Sequence, residues 1–174
     1  LDFSSHSGTV LLIGIDNFRR VINNYGYSSG DVILQEFCGR LQDYCEGKRY
    51  LYRLEGDEFI IVSPGSTRGD TEALFAEIQR LGIGLGQQRN LLISIEVSGG
   101  AVFYPQDGEK RDILITNMEH SLEHAKEYER GKLVFFSREI AEHHNRKARL
   151  IQEVDRCVRK NFQGFELYFQ PIVN

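Results

Sequence analysis

The chain has 174 residues, 41% of them hydrophobic, which suits one domain able to bury about two thirds of its unfolded surface. A net charge of -4 and a pI near 5.8 exclude a globally basic surface for nucleic acid or anionic membrane, so any phosphate binding has to be local. Cys38, Cys45 and Cys157 are odd in number and show no CxxC spacing, which argues against disulfides and a zinc ribbon and for reduced thiols in a cytoplasmic protein.

Residues 9–15, TVLLIGI, are apolar on both faces, as a central strand covered by helices would be. Phe18, Val21, Ile22 and Tyr25 then recur at helical spacing up to Gly26. A second helix is predicted over residues 28–47, with Val32, Ile33, Phe37, Leu41 and Tyr44 as its apolar stripe and Gly47 as its stop. RYLYRL and EFIIVSPG are strand-like runs separated only by Glu55, Gly56 and Asp57, the spacing of a tight hairpin. Residues 70–86 read as a helix opened by Asp70, and 90–105 as one long or broken strand. Residues 111–131 form another amphipathic helix with Ile113, Met118, Leu122 and Ala125 inward, before the strand KLVFFS. This order predicts an α/β sandwich: a mixed sheet with an antiparallel central hairpin, its faces covered by helices.

Beyond Arg138 the character changes. Residues 138–174 carry seven basic and five acidic residues against fourteen and twenty before them, so the net charge moves from -6 to +2. Ile140, His144, Ala148, Ile151, Val154, Val158 and Phe162 follow one face of a predicted linker helix over 138–164. That face suits packing between domains or a symmetric dimer. The final FELYFQPIVN, residues 165–174, is a strand pattern with nothing behind it, and the chain starts without Met, so it reads as a piece of something longer. No run reaches the roughly 18 apolar residues of a membrane helix, and residues 1–8 lack a basic segment followed by an apolar one.

The stretch RLEGDEF places Glu55, Asp57 and Glu58 on the hairpin tip, where like charges must be offset by solvent, by a basic neighbour such as Arg53, or by a metal ion. A strand end beside a hairpin tip is a place to collect hard oxygen ligands for Mg²⁺, and Asp16, Asp57 and Glu58 are the candidates. His120 and His124, four apart on a helix, have a zinc-gripping spacing, yet EHSLEH supplies no third ligand. Cys38 and Cys45 fit core packing better than catalysis.

GIDNFRRVINNYGYSSGD, RLEGDEF, FYPQDG and LEHAKEYERGK, in this order, resemble the GGDEF domain of bacterial diguanylate cyclases, which condense two GTP into cyclic di-GMP. The resemblance covers residues 9 to 137, placing a GGDEF-like domain with a nucleotide-cyclase-like fold over 1–137. The tail 165–174 resembles the first strand of an EAL domain, the cyclic di-GMP phosphodiesterase barrel, whose catalytic residues would lie beyond Asn174. An EAL domain of the same chain, a homodimer and GTP are the implied partners. Whether the parent protein is membrane-tethered is left open.

The family's jobs fall on particular residues here. Its first metal-ligating Asp corresponds to Gly14, leaving the Ile15 backbone carbonyl and Asp57 as the remaining Mg²⁺ ligands, with Asp57 and Glu58 as the catalytic remnant. Its guanine-reading Asn corresponds to Ile22, which offers no hydrogen bond, while the second guanine contact is kept as Asp31. Glu55 stands where the family has a small residue, ahead of Gly56 at the nucleotide. Arg19, Lys126 and Arg130 match its phosphate-binding cations. The positions of its product-inhibition motif read Glu46 and Arg49. The resemblance therefore implies a degenerate, catalytically silent domain that regulates or dimerises an EAL phosphodiesterase. The alternatives are an active diguanylate cyclase and a structural spacer without ligand.

Overall fold

The computed structural model of the chain describes residues 7–89, 94–166 and 168. Its central strand β1 (Gly8–Ile15) is buried from end to end. Because strand side chains alternate, Leu11, Ile13 and Ile15 enter one core and Val10 and Leu12 the other. That alternation accounts for an apolar run with no polar face.

Helices α1 (Phe18–Tyr25) and α2 (Tyr27–Cys45) follow, then the hairpin of β2 (Tyr50–Arg53) and β3 (Glu58–Pro64). Helix α3 (Arg68–Gln88), strand β4 (Val97–Tyr104), helix α4 (Arg111–Tyr128) and strand β5 (Leu133–Phe135) complete the sandwich, and α5 (Arg138–Arg159) extends from it. The sheet order is β2-β3-β1-β4-β5. The pairs β2–β3, β3–β1 and β1–β4 are antiparallel and β4–β5 is parallel, so the sheet is mixed. Phe59 and Ile61 of β3 and Ala101 of β4 join the core under α1, α2 and α3, while Val62 and Val102 join Leu114, Met118 and Leu122 of α4 on the opposite face. The α/β sandwich read from the sequence is the fold observed.

Several details differ from the sequence reading. Helix α3 starts two residues before Asp70: Thr67 caps it, its Oγ1 accepting from the Asp70 N–H at 3.3 Å while the Asp70 carboxylate accepts from the Thr67 N–H at 2.9 Å. Asp70 therefore closes a capping box from inside the first turn. On α2 the inward residues are Ile33, Leu34, Phe37, Leu41 and Cys45, and Val32 and Tyr44 are exposed. The expected stripe holds at Ile33, Phe37 and Leu41 and fails at Val32 and Tyr44, whose places are taken by Leu34 and Cys45, because two adjacent faces of this helix both carry apolar side chains. On α4 the same slip occurs: Leu114 is buried and Ile113 exposed, since 114, 118, 122 and 125 form the stripe that lies on the sheet. The strand predicted over 90–105 begins at Val97; residues 90–93 lie outside those described.

Helix α5 has the predicted amphipathic face, anchored by buried Ile140 with Ala125 and Val134. Leu150, Ile151, Val154 and Val158 along it are exposed, and the helix ends at Arg159 rather than at 164, with Phe162 in the turn that follows. Of the strand expected over 165–174, residues 167 and 169–174 lie outside those described, and Phe165, Glu166 and Tyr168 are in no regular element.

Candidate functional site

The sheet register decides what meets at the end of β1. Gly14 lies on the α4 face with Val10 and Leu12, and it pairs with Glu58 of β3 on one side and Ser98 of β4 on the other. One residue on, the Ile15 N–H donates to the Asp57 carbonyl at 3.3 Å. The hairpin tip is a tight turn in which the Glu58 N–H donates to the Glu55 carbonyl at 2.9 Å and Gly56 takes φ +53°. Arg53 does not neutralise the tip's carboxylates: its Nε and Nη2 donate to the Gly56 carbonyl at 3.2 and 2.7 Å. Glu55 is exposed.

The basic neighbour comes from α4 instead. Lys126 Nζ donates to Glu58 Oε1 at 2.7 Å, with each side chain 30% exposed. A methyl carbon placed on Gly14 would meet that Nζ at 2.6 Å and Lys126 Cε at 2.9 Å, so the lysine lies directly over the glycine. Partial burial pushes the Asp57 carboxyl above the usual range, and the Lys126 ammonium pulls it back in part.

Asp16, two residues on from Gly14, takes its partners from β4 and from the turn after α4. It is 5% exposed and accepts from Ser98 Oγ at 3.0 and 2.8 Å, while the same Oγ accepts from the Gly131 N–H at 3.0 Å. Arg130 Nη1 donates to Asn17 Oδ1 at 3.1 Å, and its Nε lies 3.9 Å from Asp16. These contacts bind the turn after α4 to the end of β1. Asn17 and Ser98 were not singled out from the sequence; nothing in a lone Asn before a helix, or a Ser within a strand, identifies such a role.

The candidate residues thus separate into two groups. Ile15, Gly56, Asp57, Glu58, Lys126 and Arg130 come together at the end of β1, whereas Arg19 and Asp31 stand exposed on α1 and α2. Ile22 is partly buried against the core, its Cγ1 3.2 Å from where a Cβ on Gly30 would stand. Arg49 Nη1 donates to the Tyr44 carbonyl at 2.8 Å, on the far side of the hairpin.

A second cluster joins α4 to α5. His143 and His144 of α5 meet His120 and His124 of α4, with the His120 and His144 rings stacked at 4.4 Å between centroids. His120 Nδ1 and His124 Nδ1 are buried without a hydrogen-bond partner, and His144 Nδ1 lies 3.3 Å from Glu123. Burial, with His120 alongside, holds His144 below the usual imidazole range despite Glu123. Parallel stacking points ring nitrogens past one another. Among the described residues no three His, Cys, Asp or Glu side chains are placed to hold a metal ion, and no helix is long and apolar enough to cross a membrane.

Residues 2–132 match the family described as diguanylate cyclase, GGDEF domain. The chain is 29% identical over 180 aligned positions to an uncharacterized signaling protein of Caulobacter vibrioides, covering 99% of this chain and 21% of that protein. It is 26% identical to the bifunctional diguanylate cyclase/cyclic di-GMP phosphodiesterase MucR of Pseudomonas aeruginosa, covering 94% of this chain and 24% of that protein. The chain thus spans about a quarter or less of the length of these relatives. Its backbone superposes on the GGDEF domain of TpbB (YfiN) from Pseudomonas aeruginosa with a TM-score of 0.70 at 20% identity, covering 80% of this chain and 83% of that one.

Proposed function

The chain belongs to the GGDEF diguanylate cyclase domain family of cyclic di-GMP signalling proteins, and we propose that it is a catalytically silent member, serving as a regulatory or dimerisation module for a C-terminal EAL phosphodiesterase. The observation that carries this reading is the register of Gly14 opposite Glu58: at the strand end where the family presents a metal-binding carboxylate, this chain presents a hydrogen atom. Two further positions agree with it. Ile22 fills the guanine-reading position and packs against the core, and Glu55 adds a negative charge beside the place of a triphosphate.

Losing one polar reader from a site built for hydrogen bonds costs about 1–3 kcal/mol of binding and leaves base edges unpaired. Asp31, Arg19, Lys126 and Arg130 remain as contacts for a nucleotide held without turnover. The exposed Leu150, Ile151, Val154 and Val158 of α5 supply an apolar face on which a downstream domain or a second copy can pack. Incubation of the purified protein with GTP and Mg²⁺, read by chromatography, is expected to yield no cyclic di-GMP. Measurable product would establish the alternative of an active cyclase, which the retained Asp57 and Glu58 favour. Calorimetric titration with GTP addresses the spacer alternative, which binding tighter than about 100 μM, some 5.5 kcal/mol, eliminates.

A further inference from the structure

We propose that the outer edge of β2 is a homodimer interface: a second copy of this chain lays its own β2 antiparallel to the first, across a two-fold axis at Tyr52, and joins the two five-stranded sheets into one. This edge is independent of nucleotide binding, so the interface stands or falls apart from the silent-domain reading above.

β2 is the last strand on its side of the sheet, and no described element pairs with its outer edge. The Leu54 N–H donates to the Glu58 carbonyl at 3.0 Å, which makes 54 and 58 a hydrogen-bonded pair. Bonded and unbonded pairs alternate along an antiparallel ladder, so Tyr52 with Ile60 and Tyr50 with Val62 are bonded too, and Leu51 and Arg53 turn their N–H and C=O groups outward. Those groups have no partner among the described residues. An open groove of about 570 Å³ lies beside this edge, lined by Gln42, Cys45, Arg49, Tyr50, Leu51 and Tyr52. On the other face of the strand Tyr50, Tyr52 and Leu54 are exposed, because α4 packs on β1, β4 and β5 and leaves them bare.

The side chains select the occupant. Charges on an edge strand oppose self-pairing, and here Arg49 and Arg53 exclude every register of a second β2 but one. With Tyr52 opposite Tyr52 of the second copy, Leu51 and Arg53 of that copy bond through groups that both chains turn outward, Arg49 faces Glu55, and Tyr50 faces Leu54. A slide of two residues in either direction sets Arg49 opposite Arg53, or Arg53 opposite itself, and like charges directly opposite destabilise. A slide of one residue sets outward groups against inward ones. Arg53 itself is drawn to the Gly56 carbonyl, towards its own hairpin tip and away from the axis. Glu55, unpaired within the chain, gains a partner. The axis also sends the two hairpin tips in opposite directions, so nucleotides at the two β1 ends are held apart.

Sedimentation velocity on the purified chain, without nucleotide, is expected to show a concentration-dependent species of twice the 20.0 kDa chain mass. Arg49→Glu and Glu55→Arg each set like charges opposite one another at two places across the axis and are expected to weaken dimerisation at least about tenfold, while the double charge swap returns to within about threefold of the wild type. Under mild oxidation Tyr52→Cys is expected to give a disulfide-linked dimer well above the wild-type background from Cys38, Cys45 and Cys157. An unbonded antiparallel pair brings its Cα atoms to about 4.5 Å, within disulfide range. Tyr50→Cys, whose two copies stand four residues apart along the strands, about 13 Å, is expected to stay at background. A monomer at every concentration, a dimer indifferent to both single charge changes, or equal cross-linking of the Tyr50→Cys and Tyr52→Cys variants overturns the proposal. If the charge variants fail to fold by circular dichroism, the two cysteine variants decide alone. Cyclic di-GMP production bears on the silent-domain reading only and is scored separately.

Discussion

Replacing Gly100 with Ala tests how α4, and with it Lys126, is seated on the sheet. Gly100 lies on the α4 face of β4, and a Cβ there would stand 2.3 Å from the Leu122 nitrogen and 2.4 Å from the Met118 carbonyl oxygen. Both neighbours are backbone of a helix interior, so no rotamer change relieves the contact. Restoring an ordinary separation of 3.4 Å requires α4 to lift by about 1 Å. Overpacking of this kind costs about 1–3 kcal/mol, and the backbone on both sides puts Gly100→Ala at the upper end. For a chain of this length, about 3 kcal/mol lowers Tm by about 6–12 °C.

Urea denaturation with an unchanged m-value is the assay, with Gly39→Ala as the control. Gly39 is exposed within α2 and a Cβ there meets nothing within 4 Å, so Ala is expected to stabilise by about 0.5–1 kcal/mol through helix propensity. A Gly100→Ala variant within about 0.5 kcal/mol of the wild type would refute the seating argument, since a change that small belongs to surface positions.

Thr67→Ala opens the α3 capping box and is expected to cost about 1 kcal/mol in urea denaturation, while Thr67→Ser retains the cap. Asp16→Ala strips Ser98 of its acceptor and frees the turn at Gly131, for an expected loss of about 1–3 kcal/mol; a neutral result would show the Ser98 contact to be idle. The α4–α5 contact is expected to loosen in acid. His144 titrates below its ordinary 6.5, so the contact is fully present above that value and is lost as pH falls below it towards the lower folded pKa. His120, His124, Glu123, Glu127 and Tyr128 of α4 and His143 and Lys147 of α5 face this cluster, and the Lys147–Glu127 pair at 2.7 Å persists across that window. Hydrogen exchange in α5 at about pH 7.5 and 5.5, corrected for intrinsic rates, reads the effect, and His144→Phe is expected to abolish it.

The element order was legible because each segment carries a strong local signal: an apolar run in β1, Glu55-Gly56-Asp57 between two strand patterns, helical stripes closed by glycines. The rotation of a helix about its axis was less legible. Val32, Ile33 and Leu34 are adjacent in sequence, and which two turn inward depends on where α3 and the sheet lie, a tertiary fact. The site was legible as a list of residue types and not as an arrangement. Arg53 is the nearest base to the acidic tip in the sequence, yet the ion pair forms with Lys126, 68 positions away, because the register of β1 with β3 turns Glu58 to the α4 face. In the same way EHSLEH contains two histidines, and the two that pack against them arrive on α5.

The two clusters share one helix. Lys126 directly follows Ala125, which packs with Val134 and Ile140 at the root of α5, and the two histidines of α4 that meet α5, His120 and His124, stand six and two residues before Lys126. Any ligand that draws Lys126 away from Glu58 therefore acts on the element that seats α5. Proximity alone transmits nothing: α5 responds only if the ligand binds one position of α4 better than another, and by no more than that difference in affinity. Lys126 is placed to supply such a difference where Arg19 and Asp31 are not. Its partner in the free protein is a carboxylate on the sheet, so exchanging that partner for a phosphate changes what holds α4 down, whereas a contact made by an exposed side chain on α1 or α2 leaves the seating of α4 as it was.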